Sequence, residues 1–385
     1  MKRNDSYTLK NLAGVPYLLP YGQMQADFKR GLRLNETGAF LWEMLEQEHN
    51  RDQLLSKCAE HYEATKSELP LLEKDIVQFL GEMTAYGILI DEEWKLPKTT
   101  GVEPRYFSIA GLNLCLYGVS EVIPSEFNAF EIKEPANIHQ TVALYPGTPT
   151  LRQNDRLLIR DKELTVIDAK DHYVLEFPCM PELSELHLSK NGREAILYYL
   201  LPLSEAHRIS VFHALRLAYL YLASRLERTV LHSASILYQG KAWLFSGSSG
   251  TGKSTHAGLW HDFLQTPYIN GDLNLLAMNE HPVIHGLPWC GTSGLYDVNT
   301  YPLGGIILLK QSPENRIEEL SPDRQLLLVQ QRLISPSWTE EMLDTNLKNI
   351  EQILPHILVC RLHCTKDKEA VMTIKDRIDH YLSSD

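Results

Sequence analysis

Nine residues, Gly247-Ser248-Ser249-Gly250-Thr251-Gly252-Lys253-Ser254-Thr255, constrain the fold of this 385-residue chain more than any other stretch. They fit the pattern G-x-x-x-x-G-K-[ST] and stand between the apolar strand Ala242-Trp243-Leu244-Phe245 and a helix opening at His256-Ala257-Gly258-Leu259-Trp260. Glycines let the backbone curl until successive N–H groups point into one concavity, and the helix N-terminus adds positive potential. An exposed Gly/Ser turn that happens to hold a lysine would not explain strand, loop and helix arriving in that order. The pattern therefore predicts a site for the phosphates of ATP along Gly247 to Thr255. Lys253 is expected to reach the β- and γ-phosphates, and the Ser254 hydroxyl to ligate magnesium.

Phosphoryl transfer also needs an acid to hold the metal or to take the proton of the attacking hydroxyl. Asp272 is the candidate, because it follows the short apolar segment Tyr268-Ile269-Asn270 and can project from a strand end beside the phosphates. Asn270-Gly271-Asp272 is equally a good turn. His232 lies fifteen residues before Gly247 and reads either as a phosphate neighbour or as a satisfied core histidine.

His232, the loop GSSGTGKS and Asp272, in that order, resemble the carboxyl-terminal domain of HPr kinase/phosphorylase, a family that shares its P-loop fold with phosphoenolpyruvate carboxykinases. The resemblance covers roughly residues 225 to 320 well and the final 65 loosely. It implies that His232 sits near the phosphates and that Asp272 is catalytic and binds magnesium, with ATP and Mg2+ as cofactors. The family has an acidic pair where this chain has Gly271-Asp272, so one carboxylate must act as both metal ligand and base, or another residue supplies one role. The family's phosphorylase signature is not recognisable. In its place stands His285-Gly286-Leu287-Pro288-Trp289-Cys290-Gly291-Thr292-Ser293-Gly294, suited either to a tight loop near a phosphate or acceptor, or to a plain turn joining two strands. Tyr301 to Leu309 reads as a buried strand and Pro322 to Ile334 as a helix, on which Arg332 reads as a contact to phosphate or substrate or, more simply, as a surface arginine. His256 is assigned no role.

Nearer the amino terminus, Leu34-Asn35-Glu36-Thr37-Gly38-Ala39-Phe40-Leu41-Trp42 reads as a helix capped by Asn35, with Phe40, Leu41, Met44 and Leu45 on one side. Leu54, Leu55, Cys58, Ala59 and Tyr62 have helical spacing, as do Leu72, Ile76, Phe79, Leu80 and Met83, and Tyr86-Gly87-Ile88-Leu89-Ile90 reads as helix stop plus strand. These runs resemble a PqqD-type domain, a small winged-helix-like module that binds leader peptides of ribosomally made, later modified peptides (RiPPs). The resemblance implies leader capture by strand addition to an exposed sheet edge; a generic helical cap fits the same pattern. Asp91 to Arg105 reads as a linker. Short apolar or alternating runs at 106–117, 140–144, 156–160, 164–168 and 172–177 predict a β-rich middle segment, and Ser204 to Leu226 a long, largely buried helix on which Ile209, Phe212, Leu215, Leu217, Leu220, Ala223 and Leu226 recur.

The expected fold is therefore α+β and multidomain: a PqqD-like peptide-binding domain over 1–95, a β-rich middle subdomain over 105–203, and an HPr kinase-like P-loop α/β domain over 204–385. Composition fits, with 44% hydrophobic and 22% charged residues, as in an ordinary globular protein. A formal net charge of −12 argues against a broad nucleic-acid or anionic-membrane surface but leaves room for a local basic groove. No apolar run approaches the roughly 18 to 20 residues of a membrane span, and MKRNDSYTLK leads into no signal core, so the expected location is the cytoplasm. Six scattered cysteines read as reduced thiols. Cys360, His363 and Cys364 read as a strand with alternating faces, since no second ligand pair accompanies them for a metal.

Taken together, the modules predict a kinase that moves the ATP γ-phosphate to a Ser or Thr hydroxyl of a precursor peptide held by its leader. The alternatives are a kinase of a small carrier protein or small molecule, and a nucleotide-binding scaffold that performs no transfer. Homo-oligomers, hexamers among them, are known in the resembled kinase family, but no interface patch is legible in this sequence.

Overall fold

The computed structural model describes residues 2–4, 6–22, 25, 31–47, 49, 51–85, 88–90, 102–149, 156–169 and 171–384. Tyr86, Gly87 and most of the expected linker, residues 91–101, lie outside the described residues. The chain is mixed α+β and divides into two compact units, one of Met1–Pro97, Tyr145–His187 and Leu197–Leu203, the other of Lys98–Leu144, Leu188–Ile196 and Ser204–Asp385. The middle segment 105–203 thus contributes strands to both.

In the first unit, Asn35 Oδ1 accepts the Gly38 N–H at 2.7 Å and caps the helix Glu36–Met44, as its position in the sequence predicts. Helices Arg51–His61 and Leu69–Ala85 follow. Leu41, Trp42, Leu45, Leu54, Cys58, Ile76, Leu80 and Met83 form the core with Tyr7 and Leu18. Burial of each large side chain there contributes about 1.5–3 kcal/mol. Tyr62 departs from the helical expectation. The helix ends at His61, and the Tyr62 ring lies 40% exposed, edge-on to Phe40 at 5.9 Å. A three-stranded antiparallel sheet, Tyr7–Leu12, Val15–Pro20 and Leu32–Arg33, completes the module and was not anticipated from sequence. Strands Arg156–Arg160, Thr165–Asp168 and His172–Glu176 form an antiparallel meander where alternation predicted strands.

In the second unit, helix Glu205–Arg225 buries Val211, Ala214, Leu215, Ala218 and Tyr219. Ile209 is 61% exposed although His207 and Ser210 beside it are buried, so Ile209 lies off the buried face that its spacing suggests. The main sheet has the order Lys241–Ser246, Arg228–Tyr238, Leu273–Met278, Pro282–His285, Thr300–Gln311, Leu358–Cys364, Arg316–Glu319. The first strand also pairs in parallel with Thr300–Gln311, which therefore ends beside the P-loop. One apolar cluster under the sheet joins Phe245, Trp243 and Ile307 to helices Lys253–Leu264 and Lys368–Ser384 through Trp260 and Ile374. A second joins Leu244, Leu308 and Val359 to helices Pro322–Gln330 and Glu340–Ile353 through Val329 and Ile350.

The expected helix to Ile334 stops at Gln330. Residues 332–335 instead run beside the strand Arg228–Tyr238: His232 N–H donates to Arg332 O at 2.9 Å, Ile334 N–H to Val230 O at 3.0 Å, and Leu231 bridges Leu333. Arg332 is therefore not a surface-helix residue. Strand Leu358–Cys364 sends Cys360 and Cys364 into the first cluster, while His363 Nε2 meets Glu318 Oε2 at 2.8 Å. Among the described residues no helix is long and apolar enough to cross a membrane.

Candidate active site

Between strand Lys241–Ser246 and helix Lys253–Leu264 the chain makes one tight curl. Gly250 and Gly252 adopt φ of 78° and 99°, open to glycine and strained for other residues. Gly247 is required by proximity: a Cβ there would lie 2.6 Å from Thr251 Oγ1 and 3.1 Å from Leu309 O. Thr251 closes the loop, its Oγ1 donating to Ser248 O at 2.7 Å, and Gln311 Nε2 donates to Gly250 O at 3.0 Å from the neighbouring strand. The helix begins at Lys253 itself, three residues before the expected His256. His256 is buried edge-on to Phe245, and burial drops its pKa to about 4, so it stays neutral.

Lys253 is buried, with Nζ 3.3 Å from Gly247 O. Burial lowers its pKa, Asp272 opposes that shift, and Arg332 reinforces it. Ser254 and Thr255 are exposed in the first helical turn. Ser248 to Thr251 form one wall of a cleft of about 520 Å3, whose other walls are Leu309, Lys310, Gln311, Arg332 and Arg361.

Asp272 lies at this site, and its carboxylate Oδ1 is 3.0 Å from His232 Nε2. That hydrogen bond is the main force lowering the Asp272 pKa; burial opposes it, and the His232, Arg216 and Lys253 charges add to it. The turn reading of Asn270-Gly271-Asp272 holds as well. Asn270 Oδ1 accepts the Asp272 and Leu273 N–H groups at 2.8 and 2.9 Å, and Ser233 N–H donates to Asp272 O at 2.9 Å. Beneath lie Ser233, Ser235, Asn270 and Asn274, all fully buried and mutually bonded, as in Ser235 Oγ to Asn274 Oδ1 at 2.6 Å and Asn274 Nδ2 to Ser233 Oγ at 2.9 Å. A satisfied buried network of this kind rigidifies what it carries, here the His232–Asp272 pair.

The loop after Pro288 has a structural part in the same place. Trp289 Nε1 donates to Phe212 O at 3.0 Å and its ring packs on Phe212 and Tyr219, which pins the loop to helix Glu205–Arg225. Its next turn, Gly291–Ser293, covers residues 271 and 272. A Cβ on Gly271 would fall 2.1 Å from Ser293 Oγ and 2.7 Å from Ser293 Cβ, so this fold has no room for a second acid at 271. Gly271→Ala should therefore cost about 1–3 kcal/mol through overpacking. Urea unfolding checks this, and the double variant Gly271→Ala/Ser293→Gly should recover most of the loss.

Sequence reasoning missed Arg216, whose guanidinium acts on Asp272 from helix Glu205–Arg225, where it reads as one more helix residue. It also missed Glu126, a carboxylate that acts on His213 and Cys290 beside the loop. The residues present fit a magnesium–nucleotide complex. The curl is held tight at Gly247 against Thr251 and Leu309 O and is open beside Gly250, where a Cβ would meet nothing within 4 Å, and an ionised acid stands within electrostatic reach of the P-loop lysine. Ser254 and Asp272 would hold the ion.

Residues 24–89 match the family described as coenzyme PQQ synthesis protein D (PqqD). Among solved structures, the HPr(Ser) kinase/phosphatase of Coxiella burnetii is similar over 40% of this chain and 97% of its own, at 13% identity and a TM-score of 0.25. Comparison with curated proteins gives no match.

Proposed function

We propose that this chain is an ATP-dependent kinase of a ribosomally made precursor peptide, recognised through its leader by the PqqD-type domain. The observation that carries the reading is the Asp272 carboxylate, bonded to His232 at 3.0 Å and acted on by the P-loop Lys253. A P-loop alone serves any nucleotide-binding role; an ionised acid beside its lysine is what transfer to a hydroxyl requires.

In this reading the loop N–H groups and the helix N-terminus cradle the phosphates, and Lys253 offsets charge on the β- and γ-oxygens. Ser254 and Asp272 would hold a magnesium ion, which would further neutralise the phosphate charge. Asp272 orients the Ser or Thr hydroxyl. As the hydroxyl oxygen bonds to the γ-phosphorus, the bond from that phosphorus to the β,γ-bridging oxygen breaks, ADP leaves with the electron pair, and the hydroxyl proton passes to Asp272. His232 holds the carboxylate in place and ionised. Leader capture by the same chain raises the effective concentration of the acceptor, so weak contacts at the hydroxyl suffice.

The test uses the full chain, Mg·ATP and candidate precursor peptides with and without their leader, with phosphate incorporation read by mass. The intact precursor should gain 80 Da equivalents per transfer, and the core without leader should react about 100-fold less efficiently. Equal turnover of both would shift the reading to a carrier-protein or small-molecule kinase, and no transfer to any acceptor would leave a nucleotide-binding scaffold.

A further inference from the structure

The cleft at the mouth of the P-loop holds more positive charge than the phosphate cradle accounts for. Opposite Ser248 to Thr251 stand Lys310, Arg332 and Arg361. Arg361 is not a loose surface side chain. Its Nη1 lies 3.2 Å from Glu318 Oε2, which His363 Nε2 also meets at 2.8 Å, while Arg324 Nη1 takes Glu318 Oε1 at 3.0 Å. These partners, His363 first, hold the Glu318 carboxyl at about 2, so it stays charged. One carboxylate thus faces two guanidinium groups, and one positive charge remains before Lys310 and Arg332 are counted. Among the described residues, Lys310 and Arg332 have no carboxylate within ion-pair distance. Arg332 is fixed by its backbone to the strand carrying His232, and Lys310 is the last residue but one of the strand beside the P-loop.

Cations gathered in a concavity repel one another and focus anions toward it. In a chain of net charge −12, such a cluster stands against the general field of the molecule. The loop N–H groups, the helix N-terminus and Lys253 already serve the nucleotide's phosphates. We infer that the cleft lined by Lys310, Arg332 and Arg361 binds carboxylates of the acceptor, which is therefore an acidic peptide segment around the reacting hydroxyl. The inference rests on the kinase reading and adds the chemistry of the substrate. Arginine braced by Glu318 presents its remaining N–H groups to a carboxylate in a fixed fork, a stronger and more selective contact than a mobile lysine gives.

The full chain, loaded with magnesium and a non-hydrolysable ATP analogue, is titrated by fluorescence anisotropy with two labelled peptides, Asp-Asp-Ser-Asp-Asp and Asn-Asn-Ser-Asn-Asn. The acidic peptide should bind about tenfold more tightly, with an affinity that falls as salt rises. Arg361→Gln and Lys310→Gln should each weaken it about fivefold or more while the affinity for the nucleotide analogue stays within about twofold. Lys310 is exposed and, among the described residues, has no ion-pair partner, so its variant reports on the cleft even if loss of the Glu318 partner disturbs the Arg361 variant. Equal binding of the two peptides overturns the inference, as does a loss of nucleotide affinity matching the loss of peptide affinity, which would place these cations on the nucleotide. Failure of the wild-type chain to bind the analogue overturns the kinase reading and the inference with it; analogue binding without acidic preference overturns the inference alone.

Discussion

Lys253→Ala is expected to reduce phosphate transfer by at least about 10^3-fold, the size of effect seen when one preorganised charge on a developing oxyanion is removed. The same change should leave the fold intact. Burial pulls the Lys253 pKa down, which means that burial works against its charge, and its contact is to the Gly247 carbonyl rather than to a carboxylate in direct ion pairing. Removing a buried charge of that kind relieves desolvation, so thermal stability should hold or rise slightly while nucleotide affinity drops. Parallel measurement of melting temperature, binding of the ATP analogue and transfer checks all three. Transfer retained in a folded variant would contradict the assignment of the phosphate site.

Asp272→Asn should cost about 10^2 to 10^4 in transfer, since the amide keeps the shape but can neither accept the proton nor offer the metal a charge. The pH dependence adds a sharper expectation. The His232 hydrogen bond lowers the Asp272 pKa from its ordinary carboxylate value. A depressed folded pKa contributes stability that is present above the unfolded value and lost as pH falls through the folded one. The acid limb of the rate profile should accordingly lie below the ordinary carboxylate range in the native chain. In His232→Asn it should move upward, because the largest lowering influence on the carboxylate is weakened. A profile recorded from pH 3 to 8 decides this; an acid limb unmoved by His232→Asn would separate the histidine from the carboxylate.

The two carboxylate positions of the resembled kinase family illustrate what a single sequence leaves open. Gly271 reads as a lost acid when only the neighbouring residues are compared. In the structure it is the residue on which Ser293 rests, and the neighbouring Asp272 carboxylate is acted on by His232, Arg216 and Lys253. At Arg332 the sequence left open a phosphate or substrate contact and a surface place on a helix running from Pro322 to Ile334; the chain leaves the helix at Gln330 and turns the arginine into the P-loop cleft.

What the sequence by itself determined are the features whose causes lie within a few residues: the Asn35 cap, the glycine curl from Gly247 to Gly252 and the strand and helix on either side of it. These depend on φ preferences, side-chain to backbone bonds and hydrophobic period, all written locally. Only the tertiary structure decided which distant side chains share the site. Arg216 and Arg361, which no motif marks, join Asp272 and Arg332 from separate elements, and their meeting is set by strand order and by how the elements pack. Packing between elements far apart in the chain leaves no period or motif at any one of them, and so it is legible only once the chain has closed on itself.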